Sequence, residues 1–261
     1  MTVFNDFHKG VYDDRMAWLR FLHHWCGGED IFIRESAFPG RRVCHSIQQI
    51  HQQLLYFSDP AHQPEPRDIY LSIYSFGAVE RVKAGPQTRE RPVYSTAKLD
   101  VVAWDIDVPD GKDLRTAYEW ARTMQHFLGG SDVALMVFSG RKGFHLYCSS
   151  DMIKHGEGTV LTAQAIRAFA MWVAEQCGVP LKRKKEEAGA DVSVMGDAAR
   201  VIRLPWTPHP KSGLFAVPVG QFDSLGEVLD RATRYTKPSP LFDFRRTPGR
   251  LDHIIEYKGV T

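Results

Sequence analysis

Two aspartates in the stretch Val-Val-Ala-Trp-Asp-Ile-Asp (101–107) are spaced for shared chemistry. In an extended strand residues i and i+2 point the same way, so Asp105 and Asp107 share one face while Trp104 and Ile106 turn to the other. Carboxylates this close repel each other unless a cation lies between them. An all-oxygen donor pair suits Mg²⁺ or Mn²⁺, which keep positions open for water and substrate phosphates. The pair equally suits a solvated strand end that opens a turn at Pro-Asp-Gly. A second cluster, Ser-Gly-Arg-Lys-Gly-Phe-His (139–145), follows the apolar run 134–138. Gly140 and Gly143 permit positive φ and a close approach of N–H groups to an anion. Ser139 adds a hydroxyl and Arg141 a planar fork for phosphate oxygens, and His145 could donate to a phosphate or a sugar. Taken alone, this is also a hairpin turn with a basic tip. An acidic strand end and a cationic turn, taken together, describe a metal–polyphosphate site. Asp191 could supply a third carboxylate. His209 and Lys211, again two apart, could grip outer phosphates, or simply form an exposed polar turn.

The elements that must position these groups alternate between helix and strand. Apolar spacing predicts a helix over 13–26 that stops at Gly27-Gly28, a strand over 31–38 and a helix over 43–57. A proline-rich loop (58–67) leads to a strand over 68–76, and the polar residues 77–95 read as an exposed loop. The strand 101–107 is followed by a helix over 113–128. A strand over 132–138 then turns back through 139–145 as a hairpin. A helix over 160–177 comes next, and short strands are expected at 201–206 and beyond. Residues 182–187, Lys-Arg-Lys-Lys-Glu-Glu, read as a solvated face that could also follow a nucleic-acid backbone. The aromatics of 206–222 and 242–244 read as core, and Arg-Arg-Thr-Pro-Gly-Arg (245–250) as a basic patch.

Composition narrows the class. With 261 residues, 43% hydrophobic and 25% charged, the chain has the make-up of a globular protein with one core or two small lobes. A net charge of +2 permits a polyanionic partner without demanding one. No run reaches the roughly 18 apolar residues of a membrane span, and the first ten residues lack signal-peptide form, so a cytoplasmic protein without membrane contact is expected. Four scattered cysteines form no C-x-x-C pair, which leaves neither a disulfide framework nor a defined zinc site.

These motifs resemble the archaeo-eukaryotic primases, specifically the catalytic small-subunit type. That family carries an acidic h-D-h-D motif, an S-G-x-x-G-x-H motif, and a late D-x-x-V-x-x-D-x-x-R-x-x-R-x-P-x-x-x-H-x-K-x-G segment. Here they are residues 104–107, residues 139–145, and Asp191, Val194, Asp197, Arg200, Arg203, Pro205, His209, Lys211 and Gly213, in the family's order. Arg-Glu-Ser-Ala-Phe (34–38) is similar to its R-E-x-x-F. The resemblance implies an α/β (α+β) primase fold in a single domain over 1–261. An N-terminal αβ lobe (1–95) would precede a catalytic part (96–261) with a mixed, largely antiparallel central sheet and flanking helices.

The resemblance also implies roles. Asp105, Asp107 and Asp191 would hold two Mg²⁺ or Mn²⁺ ions. Ser139, Gly140, Arg141, Gly143, His145, His209 and Lys211 would bind the triphosphate and sugar of a nucleotide. Lys142 would meet template or phosphate, Asp197 and Arg200 would brace the segment, and Arg200 or Arg203 could instead reach a phosphate. The expected function is a nucleotidyltransferase, a DNA primase or primase-polymerase making short RNA or DNA primers. Its partners would be single-stranded DNA, NTP or dNTP, and a large subunit, helicase or other replication protein. The alternatives are a gap-filling polymerase of the end-joining type and a non-catalytic nucleic-acid-binding subunit. Three departures mark the chain as a minimal form. It lacks the Cys/His zinc cluster expected between 108 and 131, and a substitute from His23, His24, Cys26, Cys44 and His45 has little support. It carries Trp206-Thr207-Pro208 where the family has Gly-Ser. The span 146–190 is also short.

Overall fold

The computed structural model describes residues 12–29, 31–37, 40–58, 67–153, 160–234 and 238. In chain order the elements begin with α1 (Arg15–Trp25), β1 (Ile31–Ala37), β2 (Arg41–Ser46), α2 (Ile47–Ser58), β3 (Tyr70–Ser72), β4 (Val79–Ala84) and β5 (Gln87–Pro92). They continue with β6 (Val101–Asp107), α3 (Leu114–Phe127), β7 (Ala134–Phe138), β8 (Gly143–Ser149), α4 (Ala163–Gln176), β9 (Leu181–Lys182) and β10 (Gly189–Asp191). The last are β11 (Val201–Arg203), β12 (Val217–Val219) and α5 (Leu225–Ala232). The fold is α+β, as expected, and it forms two compact units. The first draws on described residues within Met1–Lys98, Ala199–Ala216 and Arg231–Leu241, and the second on those within Leu99–Ala198, Val217–Asp230 and Phe242–Thr261. No described helix is long and apolar enough to cross a membrane.

In the first unit, the Asp14 side chain caps α1 by accepting from Ala17 N at 3.1 Å. Its apolar face, Trp18, Phe21, Leu22 and Trp25, is buried at i, i+3, i+4, i+7 spacing. The sheet order is β11–β3–β1–β2. Arg34 and Glu35, the first two residues of the Arg-Glu motif, are interior: Arg34 is 1% and Glu35 3% exposed. Arg34 donates to the carbonyls of Ser72 (2.9 Å) and Ile73 (3.0 Å), and Glu35 accepts from Arg41 at 2.7 Å.

Two sequence readings are corrected here. Residues 41–46 form a strand paired with β1, so the helix expected from 43 begins only at Ile47. Residues 79–92, read as loop, are an antiparallel ribbon, β4 with β5, in register from Val79↔Pro92 to Ala84↔Gln87. Most of its side chains are at least partly exposed, so no apolar alternation betrays it. The strand expected over 68–76 shortens to β3, with Phe76 in isolated bridges to Ile33 and Ala97. Residues 59–66 of the proline-rich stretch, Phe38, and the aromatic and basic segments 242–244 and 245–250 lie outside the described residues.

The second unit is built on a six-stranded sheet in the order β12–β7–β8–β6–β10–β9. All neighbours are antiparallel except β9 and β10. Asp113 caps α3 through Arg115 N (2.9 Å) and Thr162 caps α4 through Ala165 N (3.1 Å), which fixes both helix starts. Both helices cover the sheet face that carries Trp104, Ile106 and Phe144. Tyr118 of α3 stacks edge-on against Phe144 at 5.7 Å, and the Trp104 indole N–H donates to the Ala170 carbonyl of α4 at 2.9 Å. Trp104 is fully buried. Replacing Trp104 with Phe removes this donor, leaves the carbonyl unpaired and opens a small void. A loss of about 2 kcal/mol in urea denaturation is the expected result.

Candidate active site

The opposite face of that sheet carries a row of ionisable side chains. Across β6 and β8, Asp105 pairs with His145 and Asp107 with Gly143. Across β6 and β10, Asp107 pairs with Gly189 and Ile106 with Ala190, so the same register carried one step further sets Asp191 opposite Asp105. On the parallel edge Asp191 pairs with Lys182 of β9. Cross-strand partners share a face. His145, Asp105, Asp191 and Lys182 therefore form one row over four adjacent strands, with Asp107 beside it.

Both cross-strand neighbours of Asp107 are glycines, and close approach requires both. A Cβ on Gly143 would lie 2.3 Å from the Ile106 carbonyl oxygen and 2.7 Å from Asp107 Oδ1. A Cβ on Gly189 would lie 2.0 Å from the Pro180 carbonyl oxygen. The sequence reading gave Gly143 a role through positive φ. Only Gly140 of the two takes it, at φ 90°, and Gly143 is needed for space. Two ammonium groups converge on Asp107. Lys182 Nζ donates to its Oδ2 at 2.6 Å, and Lys142 Nζ to the same oxygen at 2.9 Å. Lys182 Nζ also lies 3.9 Å from Asp191 Oδ2, and His145 Nε2 3.7 Å from Asp105 Oδ1. Asp191 Oδ1 accepts from the backbone N–H (2.8 Å) and hydroxyl (2.6 Å) of Ser193, which fixes its rotamer.

The three groups of the row respond to burial differently. Burial, with the negative charges of Asp107 and Asp191, pushes Asp105 up to about 7, against partial relief from Lys182 and Lys142. Burial also works to raise Asp107, but the hydrogen bonds from Lys142 and Lys182 outweigh it and hold the carboxyl below its ordinary range. For Lys182, burial works to lower the pKa. The bond to Asp107 and the charges of Asp107, Asp105 and Asp191 reverse that, so the amine is held above its ordinary value. The sign for stability follows from linkage. Asp105 is protonated in the folded chain up to about 7 but ionises near 3.8 when unfolded, so its contribution falls as pH rises between those values. In EDTA, the melting-temperature advantage of Asp105→Asn over wild type should grow from pH 4 to pH 7, values set by those two limits; a pH-independent difference contradicts this assignment.

The turn 139–143 folds back on the acidic strand end. The Ser139 hydroxyl donates to the Gly143 carbonyl at 2.9 Å, closing the turn rather than facing outward. Arg141 pairs with exposed Asp110 at 2.8 Å. The remaining sequence candidates belong to the first unit. Arg203 is 3% exposed, and its guanidinium is committed to Asp68, to the Tyr70 hydroxyl at 3.2 Å and to the Pro208 carbonyl at 3.4 Å. The Arg200 backbone carbonyl accepts from Ile73 N at 3.4 Å. His209 and Lys211 sit on a tight turn in which His209 Nδ1 accepts from Lys211 N at 3.1 Å, and Lys211 is exposed. Just before it, Trp206 has φ 68°, the backbone a glycine would take, while its side chain is only 7% exposed. Thus the structure brings together Asp105, Asp107, Asp191, Lys142, Gly143 and His145. It adds Lys182, which the sequence reading had left in a solvated charge run.

Among the described residues no three His, Cys, Asp or Glu side chains converge as a ready-made metal cage. The donor chemistry nonetheless fits a hard divalent ion. Asp105 and Asp191 face each other across adjacent strands with Asp107 beside them, and half-buried Asp105 is pushed up to about 7 by its burial and the negative charges of Asp107 and Asp191.

No protein-family model matches the chain, and no curated protein matches it. Among solved structures, the chain is similar to the polymerase domain of ligase D from Mycobacterium tuberculosis, determined in complex with DNA. The TM-score is 0.52 and the identity 13%, over 82% of this chain and 81% of that one. At that identity the likeness speaks for the fold, and the chain accordingly has the fold of a primase-polymerase domain.

Proposed function

We propose that this protein is a DNA-dependent primase-polymerase of the archaeo-eukaryotic primase superfamily, which makes short RNA or DNA primers on single-stranded DNA by nucleotidyl transfer. The observation that carries this reading is the row of Asp105, Asp107 and Asp191 on adjacent strands, with a cationic glycine turn folded against it. Asp105, Asp107 and Asp191 would hold Mg²⁺ or Mn²⁺, two ions when the nucleotide is present. Such ions, when bound, lower the pKa of an attacking 3′-hydroxyl and neutralise charge on the departing pyrophosphate.

The chain's own cations would position the triphosphate. Among the described residues Arg141 is held by an exposed pair with Asp110, an interaction of small net strength, and it would be available to phosphate. Lys142 bridges the turn to Asp107 and can transfer to a phosphate oxygen. His145 faces Asp105 and would orient the sugar or a phosphate. His209 and Lys211, on their turn in the first unit, would bind phosphate, and Gly140 supplies the left-handed residue of the 139–143 turn. Ser139 acts by closing the turn. Arg203, and Arg200 with it, would brace the first unit. The protein's substrate would be NTP or dNTP, and a large subunit or helicase would be the natural replication partner.

A second reading has its own support: the structural neighbour is a ligase-associated polymerase bound to DNA, which favours gap filling at a primed end. One experiment separates the two. On circular single-stranded DNA with labelled nucleotides and Mn²⁺, a primase yields short products without any primer. A gap-filling polymerase yields product only on a primed template.

A further inference from the structure

The most unusual member of the row is Lys182. Its side chain is 6% exposed, yet its ammonium lies 2.6 Å from Asp107 Oδ2 and 3.9 Å from Asp191 Oδ2. Backbone register puts it there: β9 runs parallel to β10 and pairs Lys182 with Asp191, and Gly189, whose Cβ would lie 2.0 Å from the Pro180 carbonyl oxygen, lets the chain entering β9 pack closely. Lys142 also reaches Asp107, but it is 30% exposed on a turn and can swing to solvent. Lys182 has no such exit.

We propose that Lys182 is a resident counter-cation of the carboxylate row, which competes with divalent ions for Asp107 and Asp191 and so sets the row's affinity for them. The proposal rests on the row being a divalent-ion site. Both ammonium groups reach Asp107, so part of the site's negative charge is already balanced before an ion arrives. An incoming ion that takes an oxygen of Asp107 meets a buried ammonium already bonded there, and like charges at that range repel. Lys182 thus holds the acids in place in the ion-free protein and weakens their grip on a metal. A merely structural lysine behaves the opposite way: removing it disorders the donors and lowers metal affinity.

The test is calorimetric titration of the full chain with Mn²⁺, a readout independent of catalysis. Lys182→Met should bind Mn²⁺ about tenfold more tightly than wild type, within the range by which groups touching metal ligands tune affinity. Lys182→Arg, which keeps the charge, should remain near the wild-type value. If Lys182→Met does not fold, Lys182→Gln, whose amide still donates to Asp107, takes its place with the same expectation. Unchanged or weaker binding by the neutral variant overturns the proposal and leaves the metal site standing. Absence of Mn²⁺ binding in wild type and variant alike removes the metal site, and the proposal with it.

Discussion

Asp107→Ala should destabilise the ion-free protein by about 3 kcal/mol, the lower end of the range for breaking a buried ion pair by removing one partner. The carboxylate is the acceptor for both Lys182 at 2.6 Å and Lys142 at 2.9 Å. Lys142 can turn to water. Lys182, 6% exposed, keeps only Asp191 at 3.9 Å. Asp107→Asn, which retains an acceptor oxygen, should lose about half as much. The double variant Asp107→Ala/Lys182→Met removes both members of the pair and should recover most of the loss, because a buried pair replaced as a unit leaves no orphaned charge. Urea denaturation of the four proteins measures the cycle. A single-variant loss below about 1 kcal/mol, the scale of an exposed pair, means Lys182 and Asp107 are not coupled as described.

Gly143→Ala is expected to have an effect of similar size by a different route. Its backbone takes no left-handed conformation, so the loss comes wholly from contact. The added methyl would stand 2.3 Å from the Ile106 carbonyl oxygen, which is fixed in the β6–β8 ladder, and 2.7 Å from Asp107 Oδ1. Either the β6–β8 pair separates or Asp107 rotates, and overpacking of this kind costs about 1–3 kcal/mol. Gly130→Ala is the contrasting case. That residue has φ 90° with nothing within 4 Å of the new methyl, so only backbone strain of about 1 kcal/mol applies. Thermal melting compares them, and Mn²⁺ titration adds a second reading. Gly143→Ala should weaken Mn²⁺ binding while Gly130→Ala leaves it unchanged. Equal effects on binding would mean that Gly143 does not shape the space around Asp107.

What the sequence made legible was local. Residues 101–107 form the strand read from them, because an apolar run bracketed by turn residues has little else to become. The helix after it starts at Asp113 for the same kind of reason, a side chain capping its own first turn. The β7–β8 hairpin and its cationic turn were equally visible. Lys182 was not. The two-residue strand β9 exists only because β10 lies beside it, and a lysine opening a run of charges gives no sign of being interior. Ser139 was read by residue type as a phosphate donor, and the resemblance gave Arg203 a phosphate to reach. The structure commits the Ser139 hydroxyl to a carbonyl and the Arg203 guanidinium to Asp68, contacts set by tertiary neighbours. The β4–β5 ribbon escaped because its side chains are mostly charged and exposed, with Arg91 donating across the ribbon to Glu80 at 2.6 Å, so no apolar alternation marks it.

We have proposed that the aspartate row performs nucleotidyl transfer. The direct measurement is incorporation of labelled nucleotide onto a primed single-stranded template in Mn²⁺, comparing wild type with Asp105→Ala. Asp105 makes the informative variant, because its close contact is with the His145 ring at 3.7 Å and its removal leaves the Lys182–Asp107 bond intact. The account predicts extension by the wild-type chain and none by a folded Asp105→Ala chain with unchanged melting in EDTA at low pH. Extension by both, or by neither while both remain folded, contradicts it.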